Sequence, residues 1–582
     1  MQDRAPSLAT LSRWLLFAAT ALMVLYPVSW LVRGSLWSSR PGADGFLTLA
    51  HYARTFGNLD TWGLLVNSLH ISGAKSLLAC IIGIFLAWLV ARTDVPLRGW
   101  IEVLAPLPFF IPGLLSAMAW AILANPSNGL LNTLLAAVFG LDKGPLNVYS
   151  SGGMAFVMAL SSSAFVYLLV LGAMRNMDTG LEESARLSGA GGLQTFFTIT
   201  LPLLLPALSG AAVLTFISGL ESFETPIILG TPGKVFVFTN EIYYHIRWTT
   251  PPAYGAAMTL AVLLTILMLL MVLFQWRLLG RNSYTTVTGR GYQPPPIPLG
   301  RWSWPALALV ALYLLFALVL PIGLIIVTSF FSVFGFFSWQ TLTLENYLGV
   351  FRDHQFARAL VNTIILAVGG GLLTMLLSGL VAYVLVRTRF ALRRVLELIT
   401  WLPWALQGIV LSLAMLWAYI RLPIPIYGTV WVLLLAYVTH GLPLGVRTMS
   451  GVLVQVSPEL EESARLSGAS WQRTFVDVVL ALVRPGFVAG WFLLGYLFMR
   501  QLSIAVMLYG PGSEVLSMLS LRAWERGVGG QAAAIATIML LIMVAFLLVE
   551  VGIRTRVRRR VELRARGSMA PGSRMALRSS QV

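Results

Sequence analysis

Two stretches of this 582-residue chain repeat a polar string letter for letter. Leu181-Glu182-Glu183-Ser184-Ala185-Arg186-Leu187-Ser188-Gly189-Ala190 returns as Leu460-Glu461-Glu462-Ser463-Ala464-Arg465-Leu466-Ser467-Gly468-Ala469, a shift of 279 residues. Two acids, small residues, a base and then a glycine describe a short charged helix with a turn after it. Glu182 and Arg186, like Glu461 and Arg465, stand four apart with the acid first, an order that supports a helix by about 0.2–0.5 kcal/mol. Asp178 and Ser457 are placed to cap these helices, with Pro458 at the first helical position of the second copy. Gly189 and Gly468 let the chain turn or another backbone come close. Such a helix suits docking into a cleft on a partner. The alternative is a solvated linker helix that caps the preceding segment. Duplication favours docking, because composition alone does not reproduce ten residues of mixed polarity.

Other chemistry is sparse. Glu221 and Glu224 end an apolar run, and the same shift sets Arg500 against Glu221. Across a two-fold relation, Glu221 and Arg500 could pair or gate a pathway; the blander reading puts both at a wetted rim, where they terminate spans. Glu102 and Glu397 begin apolar runs, where the helix dipole favours a carboxylate and a structural role. The five histidines are not spaced as metal ligands, and Cys80 is alone, so neither a disulfide nor a cysteine metal site is expected. No nucleophile, base and acid set suggests catalysis. No Gly-x-x-x-x-Gly-Lys-Ser/Thr string is present; Gly73-Ala74-Lys75-Ser76 lacks the glycine spacing and falls in an apolar run. The chain reads as a conduit and not as an enzyme.

The elements that must position these residues are membrane helices. Hydrophobic residues make up 57% of the chain and charged ones 11%, too apolar a balance for a water-soluble surface. Residues 15–32, 253–276, 305–328 and 532–551 each match the roughly 20 residues needed to cross a bilayer. Twelve spans are expected, at about 13–33, 62–91, 101–124, 152–174, 203–220, 254–277, 305–329, 359–386, 395–419, 427–446, 484–505 and 531–553. With both termini in the cytoplasm, most of the 40 Lys and Arg fall in cytoplasmic segments, as the positive-inside bias requires. The net charge of +17 is explained the same way, by arginines crowded into the 554–582 tail, so the expected contact is membrane lipid and not nucleic acid. The first apolar run has no small-residue cleavage site and reads as a retained span.

The chain is also a tandem repeat. Leu47-Thr48-Leu49, Tyr52, Phe56, Asn67, Arg92 and Gly113 recur 295 residues later as Leu342-Thr343-Leu344, Tyr347, Phe351, Asn362, Arg387 and Gly408, and Ser35 recurs at Ser329. The fall of the shift from 295 to 279 places sixteen extra residues in the first half, around 125–151. The expected organisation is a first half over 1–280, a Gly- and Pro-rich linker over 281–301, a second half over 302–553 and the basic tail. Parallel repeats imply a pseudo-two-fold axis along the membrane normal, with a pathway between the halves. The fold class is all-α and polytopic, two parallel six-helix repeats.

The duplicated segments, over 178–202 and 457–485, resemble the EAA loop of binding-protein-dependent ABC importer permeases of type I. In that loop Glu-Ala-Ala-x-x-x-Gly precedes a Leu-Pro turn. Here the first copy is Glu183-Ser184-Ala185 with Gly189 and Leu201-Pro202, and the second is Glu462-Ser463-Ala464 with Gly468. Ser replaces the middle Ala in both, and Ala481-Leu482 stands where the second Leu-Pro turn would continue. The resemblance implies that Glu182 to Arg186 with Gly189, and Glu461 to Arg465 with Gly468, couple to two cytoplasmic ABC ATPase subunits. Those subunits would hold ATP and Mg, this chain binding no cofactor, while a periplasmic or extracellular substrate-binding protein would deliver cargo to the bacterial plasma membrane. Fused two-half permeases of this length most resemble those for ferric iron, with thiamine, phosphonate and polyamine importers as neighbours. Glu221 and Glu224 suit a cation. A twelve-span secondary transporter is the rival of another class, and it has no reason to keep two identical docking helices.

Overall fold

A computed structural model describes residues 8–568 apart from 178–179, 281–295, 333–334, 336–337, 469, 471–472 and 474–480. The described chain is helical, with isolated bridges in place of any strand. Ten helices are long and apolar enough to cross a membrane, from Thr10–Ser35 to Gly529–Arg556.

The two remaining expected spans, 101–124 and 395–419, are not straight. Arg98–Phe110 meets Gly113–Leu123 at 94°, and Arg393–Ala405 meets Gly408–Tyr419 at 109°. Proline explains the first break. Pro106, Pro108 and Pro112 lack backbone donors, and Pro112 holds its predecessor extended; Ile111 has ψ 129° and Pro112 itself ψ 134°. In the second half Pro403 sits near the helix end, and Leu406 and Gln407 are extended with ψ 103° and 155°. Irregular backbone at membrane depth is tolerated where it is buried in protein or faces a cavity. Both breaks do so.

The repeat survives in three dimensions. Ser35 Oγ lies 2.8 Å from the Tyr52 hydroxyl, and Ser329 Oγ 2.7 Å from that of Tyr347. Trp37 bridges Leu47 as Phe331 bridges Leu342. Arg92 donates to the Met174 carbonyl, and Arg387 to its repeat mate, that of Leu453. The first span of each half leans on the other half: Tyr26 donates to the Ala418 carbonyl, and Tyr313 to those of Ala105 and Leu160. The halves meet again through the repeat-related helices Phe238–Arg247 and Leu516–Glu525, where the Tyr243 hydroxyl donates to Glu525 at 3.2 Å. The extra stretch of the first half folds as a short apolar helix, Leu130–Phe139, held by Asn132 to the backbone of Asn125 and Leu146.

Chain path fixes which elements share an end of the bundle. Ile297, just ahead of the second half's first span, exchanges backbone hydrogen bonds with Arg92 and Asp94 at the end of Leu59–Arg92. From there Gly300–Thr328 crosses away and His354–Arg387 crosses back, so Arg92 and Arg387 lie at one end. The two duplicated polar segments sit beside them.

Candidate functional site

Each duplicated segment forms a short helix between two spans, Gly180–Leu187 and Pro458–Leu466. Ser457 caps the second, accepting from the Glu459 amide at 3.3 Å; Asp178 lies outside the described residues. Gly189 and Gly468 both adopt φ +86°, with nothing among the described residues within 4 Å of where a Cβ would stand. The glycine therefore serves the left-handed turn that ends the helix, and no close approach of this chain's own backbone. The Ala190 amide returns to the Ala185 carbonyl at 3.0 Å, satisfying a helix-end acceptor.

Glu182 is buried. It is 2% exposed and faces the bundle, where one carboxylate oxygen lies 2.9 Å from Arg92 Nε and the other accepts from Thr200 Oγ1 at 2.7 Å. The Nε–H is not aligned on the carboxylate, so the first contact is Coulombic more than a hydrogen bond. Arg92 also donates to the Met174 carbonyl at 2.9 Å. One buried carboxylate thus joins the Gly180–Leu187 helix to the ends of the Leu59–Arg92 and Ser151–Asn176 helices and the start of the next span. The expected i,i+4 partner, Arg186, has its side chain outside the described residues. In the second copy Arg387 donates to the Leu453 and Val456 carbonyls. The side chains of Arg186, Glu461 and Arg465 lie outside the described residues.

Each helix exposes two leucines, Leu181 at 53% and Leu460 at 48% being the less bare of each pair. Leu187 is 90% exposed and Leu466 89%, on helices whose other residues are mainly polar. Glu462 and Ser463 are exposed beside them, as is Ser184, with Glu183, Ala185 and Ala464 half-buried.

Between the halves lies a polar cavity of about 370 Å³, bordered by both helix breaks through Gly113 and Gly408. Glu221, Glu224 and Arg500 all line it. No ion pair joins Glu221 to Arg500; the guanidinium donates to the Phe109 carbonyl at 2.9 Å and lies over that ring. Glu224 packs by Gly113, and its repeat mate Ser503 by Gly408. Glu102 pairs with Arg175 at 2.8 Å, away from the cavity. Lys75, His440 and Gln501 complete the charged and amide lining. Lys75 and His440 escape a search for phosphate loops and metal spacings. The signal that finds them is simpler: an ionisable side chain inside a span is a functional candidate by position alone.

A second, apolar cavity of about 930 Å³ lies between the halves, with Gln275, Val395 and Arg447 in its lining. Leu214 and Trp404 line both cavities.

The model of the binding-protein-dependent transport system inner membrane component matches residues 79–280 and again 370–563. The chain belongs to this family. It is an ABC importer permease in fused two-half form, a transport protein and not an enzyme, and the secondary-transporter reading falls. The permease is 28% identical over 490 residues to a ferric transport system permease protein of Actinobacillus pleuropneumoniae, covering 83% of this chain and 70% of that one. Over 218 residues it is 28% identical to the molybdenum transport system permease protein of Escherichia coli, covering 37% of this chain and 92% of the relative. A solved bacterial alginate ABC transporter, in complex with a pentasaccharide-bound periplasmic protein, aligns with 47% of the permease at 24% identity and a TM-score of 0.38.

Proposed function

We propose that this permease imports ferric iron across a bacterial plasma membrane. Two separate ABC ATPase subunits, binding ATP and magnesium, would seat on its two docking helices, and a substrate-binding protein would supply cargo from the opposite face. Leu187 and Leu466 carry the coupling half of the reading. A leucine this bare recovers about 1.5–3 kcal/mol when a partner covers it, and two identical helices at one end of the bundle call for two identical partners. The Glu182–Arg92 latch then passes a pull on the first helix directly to the membrane spans. In this reading both termini, the 281–301 linker and the 554–582 tail are cytoplasmic, and the tail's arginines meet anionic headgroups.

Support for iron comes from the ferric permease relatives and from the two glutamates in the inter-half cavity. The test is uptake of radioactive ferric iron by cells carrying or lacking the permease. Thiamine, a phosphonate and spermidine run in parallel. Iron uptake that depends on the permease and on ATP supports the reading; uptake of one of the other cargoes with iron unmoved overturns it.

A further inference from the structure

Lys75 sits in the interior of the Leu59–Arg92 helix and takes no part in the docking latch. It is 3% exposed, far inside a 34-residue apolar helix, yet its amine reaches the polar cavity. Nζ donates to Ser218 Oγ at 2.7 Å. Ser218 stands three residues before Glu221, so hydroxyl and carboxylate share a helix face, and Lys75 and Glu221 line the same cavity.

None of these charges is duplicated. By the repeat, Lys75 corresponds to Gly370, Glu221 to Arg500, and Glu224 to Ser503. Lys75 and Arg500 thus balance Glu221 and Glu224 within one cavity. Carboxylates in a partly desolvated site are costly without a cation nearby, and a pathway works only if cargo binds weakly enough to leave. We propose that Lys75 is a tethered counter-ion: its ammonium neutralises Glu221 when no cargo is present and yields to a multivalent cation, setting how tightly that cation is held. The proposal deepens the cation reading above and rests on it for the identity of the cargo.

The test uses the purified full-length permease and terbium(III), a trivalent probe whose luminescence Trp404 at the cavity wall can sensitise. Removing one positive charge from the site should tighten binding about tenfold or more in Lys75→Met, and Lys75→Arg should bind like the unmodified permease. Adding Glu221→Gln to Lys75→Met should erase the gain. Lys75→Gln, which keeps a polar group in the span, repeats the measurement should the methionine variant fail to fold. Equal or weaker binding in the neutral variants overturns the proposal, as does a gain that survives Glu221→Gln. Iron uptake is measured separately. A terbium gain without iron transport overturns the choice of cargo and keeps the counter-ion, whereas iron transport without a terbium gain does the reverse.

Discussion

Replacing Glu182 by alanine should disconnect the permease from its motor without unfolding the bundle. Both partners of the latch are buried, Arg92 at 9% and Glu182 at 3% side-chain exposure. Removing the acid leaves a guanidinium held, among the described residues, by the Met174 carbonyl, and breaking one side of a buried pair costs about 3–5 kcal/mol. Spent on the seating of a single eight-residue helix, that shifts the seated fraction by roughly two to three and a half decades. Hydrogen exchange of the amides over 180–190 should accelerate by a comparable factor. Transport should fall with it, while ATP hydrolysis by the assembled complex continues. Glu183→Ala, outside the latch, should change stability by no more than about 0.5 kcal/mol. The double variant Arg92→Met with Glu182→Met should recover protection, because no lone charge is left behind. Unchanged exchange and transport in Glu182→Ala would refute the reasoning.

Leu187→Asp and Leu466→Asp should each weaken ATPase binding about tenfold or more, from the apolar area lost, as measured by pull-down with the ATPase; unaltered capture would count against the docking faces. At φ +86° a side chain costs about 1–2 kcal/mol, so Gly189→Val and Gly468→Val should lower coupled transport more than the asparagine variants do. A Cβ at residue 408 would stand 2.1 Å from Ser503 Oγ, whereas one at 113 would meet nothing nearer than Glu224 at 3.6 Å. Gly408→Ala should therefore impair transport and Gly113→Ala should be near neutral, compared by uptake rates at matched expression. Trp404→Ala, which thins the wall between the two cavities, should give an ATP-independent leak in proteoliposomes; a tight vesicle would show that Trp404 does not separate them.

The spans and the repeat are legible because both rest on local quantities, apolar run length and letter identity. Ser35 with Tyr52 and Ser329 with Tyr347 are even aligned in the repeat before their hydroxyls are seen to touch. The helix breaks are harder to see. Pro106, Pro108 and Pro112 stand in view, but hydropathy runs unbroken across them, and a hydropathy window reports length and not direction. The latch is hidden for another reason. Local spacing proposes Arg186 as partner of Glu182, and only packing brings Arg92 there from a distant span. The same holds for Lys75, whose surroundings are set by a helix more than a hundred residues away.

Native mass spectrometry of the full-length permease purified from its own membrane, with and without the Leu187→Asp, Leu466→Asp double change, tests the central claim most directly. Two copies of one ATPase on each chain, lost from the double variant, is the predicted result. A chain that carries no ATPase, or that keeps both copies despite the two aspartates, would contradict it.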